Sequence, residues 1–107
     1  MGKHLRATLT NDPVLVRFRR APDEMYGNRL ARVVLFGSRA PPDSDYDVAV
    51  FLKILPDRWA QLDRLARLRV AMIDETGAHF DAKPYRVSAL QGRAPLMHEI
   101  RHDGLDP

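Results

Sequence analysis

Two apolar runs, RVVLF at residues 32–36 and YDVAVFL at 46–52, flank the segment GSRAPPDSD. Once past Asp47, neither run alternates polar with apolar residues, so each reads as a strand covered on both faces. A chain with such strands must supply helices to cover them. Asp12-Pro13 looks like a helix N-cap followed by proline at the first helical position. Val14, Leu15, Phe18, Ala21 and Met25 then recur at helical spacing. Pro22 should kink or split that helix, and Gly27 should stop it. Residues 57–73 carry Trp59, Leu62, Leu65, Ala66, Met72 and Ile73 on an amphipathic helix ended by Gly77. A third strand is expected over residues 79–87, with Pro84 placing its end near a sheet edge. A last helix should run from Pro95 to His102, closed by Gly104. Strand, helix and strand alternate, which predicts an α/β fold with helices layered on a sheet.

The 107 residues suit one domain, residues 1–107, with residues 1–11 expected to be loose. Apolar residues make up 45% and charged residues 29%, an ordinary globular balance. Cysteine is absent, which excludes disulfides and thiolate metal sites. No apolar stretch is long enough to span a membrane, and the start MGKHLRATL lacks a secretory apolar region. A cytoplasmic protein is the expectation. The net charge of +3 is mild. Arg17, Arg19 and Arg20 cluster, and Arg64, Arg67 and Arg69 share a helical segment. They read as solvated helical faces, or as attraction for nucleotides or an acidic partner. No aromatic platform or recognition-helix pattern accompanies them, which argues against direct nucleic-acid binding.

Asp43, Asp45 and Asp47 stand at every second position before the second strand. Asp is a poor strand former, and a buried unpaired carboxylate is costly. Strand residues two apart share a face, so Asp45 and Asp47 project together. At a separation of about 5 Å, two carboxylates near a protein surface repel by about 3 kcal/mol. A hard divalent cation removes that cost, and Mg²⁺ commonly takes one or two carboxylates plus substrate phosphates. A solvated turn is the competing reading. Asp43 and Ser44 fit it well, whereas Asp47 fits it badly because the strand has begun. A calcium loop fails, since Val48 and Ile54 stand where Gly and Glu are needed. Gly37 and Ser38 end the first strand. Backbone N–H groups in such a turn can cradle phosphate oxygens, and the Ser38 hydroxyl adds a donor.

Taken together, VVLFGSRA, PDSDYDVAVFL and PLMHEIRHDG resemble the Gly-Ser…Asp-x-Asp pattern of polymerase-β-like nucleotidyltransferases. Within them the sequence is most similar to the small prokaryotic minimal nucleotidyltransferases (MNT proteins), which often act as antitoxins beside HEPN-domain toxins. The resemblance covers roughly residues 12–104. It implies a mixed β-sheet packed with helices. It implies Mg²⁺ held by Asp45 and Asp47, with a third carboxylate from a later strand, for which Asp81 is the candidate. Gly37 and Ser38 would hold the triphosphate, with Arg39 as a further nucleotide contact. The implied reaction is attack of a hydroxyl on the α-phosphorus of ATP, with Asp81 helping to deprotonate it and pyrophosphate leaving. In MNT–HEPN pairs the acceptor is a tyrosine of the toxin. The chain departs from the pattern after Ala40, where Pro41-Pro42-Asp43 follow at once and the second glycine is missing. The shortened segment leaves an alternative, an MNT-fold antitoxin of impaired activity that works by binding its partner.

His98-Glu99-Ile100-Arg101-His102 matches the H-E-x-x-H motif of metalloproteases. A catalytic zinc needs a third protein ligand, and a protease cleft is hard to build around so late a helix. The protease reading is therefore rejected. His4 and His79 read as plain polar residues.

Overall fold

A computed structural model describes residues 13–36, 46–77 and 79–106. The elements are α1 (Pro13–Tyr26), a 3-10 turn (Gly27–Arg29), β1 (Leu30–Phe36), β2 (Tyr46–Leu52), α2 (Arg58–Thr76), β3 (Phe80–Arg86), a second 3-10 turn (Val87–Gln91) and α3 (Pro95–Asp103). The three strands form one sheet in the order β1-β2-β3. β1 and β2 are antiparallel, with Val34 opposite Ala49 and Phe36 opposite Asp47. β2 and β3 are parallel, with Asp47 beside Asp81 and Phe51 beside Tyr85. The sheet is therefore mixed, and α2 makes the crossover that parallel neighbours require. The α/β fold expected from the sequence, a mixed sheet packed with helices, is the one observed.

Both faces of the sheet are covered, as the unbroken apolar runs demand. On one face Val33, Leu35, Val48, Val50, Leu52 and Phe80 pack with Phe18 and Tyr26 of α1 and with Leu65 and Met72 of α2. Phe18 and Phe80 lie ring on ring, centroids 4.2 Å apart and planes 8° apart. On the other face Val34, Ala49 and Phe51 meet Leu90, and Met97 and Ile100 of α3. α3 is also held at its end. Leu105 and Leu35 exchange backbone hydrogen bonds of 2.7 and 2.8 Å. Gly104 makes this approach possible, because a Cβ there would collide with the Ile100 carbonyl oxygen and with Val34 Cγ1.

Some details go beyond the sequence expectation. Of the two outcomes expected at Pro22, a split is not seen: α1 runs on to Tyr26. Proline lacks an N–H and so removes one i→i−4 hydrogen bond, and Pro22 is buried. β1 begins at Leu30 rather than Arg32, through an irregularity between those two residues. Pro84 sits within β3, and β3 is an edge strand among those described, in keeping with the edge position that Pro84 suggested. Trp59 is 83% exposed. The buried stripe of α2 runs through Gln61, Leu65 and Met72, and Trp59 falls on the opposite side of that helix.

Gln61 occupies a core position because its amide is satisfied. Its Nε2 donates to Asp57 Oδ2 at 2.6 Å, and its Oε1 accepts from Arg64 at 3.3 Å. The other Asp57 oxygen accepts from Arg29 Nη2, and Arg29 Nε reaches the Ile54 carbonyl at 3.1 Å. Asp57 thus uses its carboxylate to tie the 3-10 turn before β1 to α2 rather than to cap the helix. The hydrogen bond from Arg29 is the main cause that holds the Asp57 carboxyl below its usual range, and that from Gln61 is the next. A depressed folded-state pKa contributes stability above the unfolded value of about 4 and loses it as pH falls through the lower folded value. Asp57→Asn should therefore melt below the native protein at neutral pH. The gap should close on acidification below about pH 4. Thermal melts across pH check this, and a gap that stays constant would refute the linkage.

Candidate functional site

The end of the sheet where β1 stops and β2 and β3 start carries the acidic residues. Residues alternate faces along a strand, whereas residues paired between neighbouring strands share a face. Phe36, Asp47 and Asp81 form one such row across all three strands. The next row on the same face is Val34, Ala49 and Lys83, followed by Arg32, Phe51 and Tyr85. α3 and Leu90 cover the apolar members of those inner rows, and the acidic row lies at the rim.

Register pairing therefore sets Asp47 directly beside Asp81, with neighbouring strands about 4.8 Å apart. The sequence pointed to both residues separately; the fold brings them together. Both are half-buried. The Asp81 side chain is 39% exposed, and Lys83 Nζ stands 3.9 Å from its Oδ2. Acidic residues on neighbouring strands attract cations, and Lys83 supplies part of that need at Asp81. Asp45, Gly37, Ser38 and Arg39 lie outside the described residues. Phe36, the last described residue before Gly37 and Ser38, is the one paired with Asp47. Among the described residues no group of three or more His, Asp or Glu side chains forms a metal cluster, so the ligand set proposed from the sequence depends on Asp45.

Beside Asp81 a groove of about 140 Å³ runs between β3 and α2, lined by Leu62, Leu65, Ala66, Arg69, Asp81 and Lys83 among others. Arg69 and Lys83 give its mouth two cations. The sequence left Arg69 between a solvated face and attraction for nucleotides or an acidic partner, and its place beside this groove follows from the packing of α2 along β3. Tyr85, further along the same face of β3, has its hydroxyl pushed up in pKa chiefly by burial. A larger cleft of about 300 Å³ lies at the outer edge of β1, between Arg19, Asp23, Arg32 and Asp106. It has no part in the acidic row, and its Arg32 is spent on Asp106 at 2.9 Å.

No protein-family model matches the sequence, and no curated protein does. A solved structure does match. It is a crystal structure of a mutant of the toxin–antitoxin MntA-HpeT, superposing with a TM-score of 0.52 at 16% identity. The match covers 82% of this chain and 68% of that one. The mutant carries two Asp-to-Glu substitutions two positions apart. At this identity the likeness is one of fold. No described helix is long and apolar enough to cross a membrane.

Proposed function

We propose that this chain is a Mg²⁺-dependent nucleotidyltransferase that moves a nucleotide, AMP from ATP, onto a hydroxyl of a partner protein, and that it serves as the antitoxin of a HEPN-domain toxin. The observation that carries the reading is the Asp47–Asp81 pairing at the rim of the sheet, beside the strand end that leads into Gly37 and Ser38. The fold shared with a toxin–antitoxin structure supports it. So does the substitution pattern of that mutant, which has the spacing of Asp45 and Asp47.

The donor set suits the ion, since carboxylate oxygens are what Mg²⁺ takes. Asp45, Asp47 and Asp81 would hold it, and its charge would offset that of the triphosphate and the leaving pyrophosphate. The chain's own residues do the rest. Gly37 and Ser38 offer donors to the phosphates, and Arg39 adds a cation. Asp81, on the edge strand and open to solvent on one side, accepts the proton of the incoming hydroxyl. Lys83, 3.9 Å from Asp81, sets a cation beside that carboxylate.

A second reading rests on the shortened segment after Ala40. There the chain keeps the fold and the partner surface, and neutralises its toxin by contact. One experiment separates the two. The chain is incubated with Mg²⁺, α-labelled ATP and the HEPN-domain protein encoded beside it. Label appearing on that protein, and lost with a chelator, is the expected result. A tight complex without label would leave the binding reading in its place.

A further inference from the structure

The histidine pair set aside as a protease motif acquires a different meaning in the folded chain. α3 buries Met97 and Ile100 against the sheet, which turns His98 and His102 outward, and both are exposed. They are one turn apart, and their rings are in contact, with centroids 4.3 Å apart and planes at 47°. Neither ring has a hydrogen bond or an ion pair among the described residues. Arg101, between them in sequence, is turned away, donating from Nη1 to the carbonyls of Leu90 and Gly92. Two imidazoles are thus held side by side by a docked helix, with their ring nitrogens uncommitted.

We propose that His98 and His102 form a two-imidazole clamp for a late first-row divalent ion such as Ni²⁺, Cu²⁺ or Zn²⁺. Rings this close can each turn a nitrogen to a common ion about 2 Å away. Imidazole suits these metals, whereas Mg²⁺ prefers oxygen ligands. The clamp is therefore chemically orthogonal to the acidic row. With no third ligand among the described residues, water fills the remaining positions and the site is an exchangeable surface site.

The test is calorimetric titration of the full chain with Ni²⁺. One ion per chain is expected, undisturbed by a large excess of Mg²⁺. Binding the first nitrogen makes the second intramolecular, so His98→Ala and His102→Ala should each weaken affinity on the order of a hundredfold. Both side chains are exposed, so circular dichroism should show unchanged helicity. A respaced variant, His102→Ala with Asp103→His, keeps two histidines but breaks the one-turn spacing, and it should bind as weakly as the single variants. In melts, Ni²⁺ should raise the Tm of the native chain only. Native-like affinity in any of the three variants, competition by Mg²⁺, or no binding by the native chain would each overturn the assignment.

Discussion

On the proposed function, Asp47→Asn is expected to lower nucleotide transfer by about three orders of magnitude while leaving binding of the proposed toxin partner intact. The substitution keeps the shape of the side chain and removes its charge. Metal-assisted stabilisation of a transferring phosphoryl group is worth several kcal/mol, and each 1.36 kcal/mol is tenfold in rate. On the proposed reading Asp47 would be central to that stabilisation, because it is the one described carboxylate on the middle strand, flanked by Phe36 and Asp81. The change is a loss of charge at a half-buried rim position, so the core should be untouched. A second readout is independent of catalysis. An ion that binds the folded chain raises its Tm by mass action, so Mg²⁺ should raise the Tm of the native protein and raise that of Asp47→Asn less. Undiminished transfer by the variant would remove Asp47 from the mechanism.

The largest effect on stability is expected from Phe18→Ala. Phe18 is fully buried and stacks on Phe80, itself fully buried, so the pair fastens α1 to β3 across the core. Truncating a buried Phe to Ala costs about 3–5 kcal/mol, and stacking contributes roughly 0.5–1.5 kcal/mol of that beyond area. A domain of this size has a stability on the order of 5–15 kcal/mol. The variant should therefore melt at least ~12 °C below the native chain. Chemical denaturation would give the same ordering, and a cost under about 1 kcal/mol would mean that α1 is not part of the cooperative unit.

Much of this fold is legible in the sequence because its strands and helices carry strong local signals. β2 was expected at residues 46–52 and is found there. α2 ends where Gly77 adopts a left-handed conformation, φ 76°. Trp59 misleads because bulk and apolarity say nothing about which side of a helix meets the sheet. The stripe through Gln61, Leu65 and Met72 decides that, and it includes a polar residue whose partners, Asp57 and Arg64, become visible only after folding. The pairing of Asp47 with Asp81 is of the same kind. Alternation placed each on a strand face, but the parallel register across α2 is a tertiary fact, and no local pattern encodes it.

That register has a consequence for how the chain tolerates insertions and deletions. Slipping β3 by one residue against β2 would put Phe80 or Ala82 beside Asp47 and send Asp81 to the opposite side of the sheet. The same slip would drag Phe80 off Phe18. Greasy side chains thus proofread the alignment of the acids, and a misthreaded molecule would forfeit its interior before it could present a faulty rim.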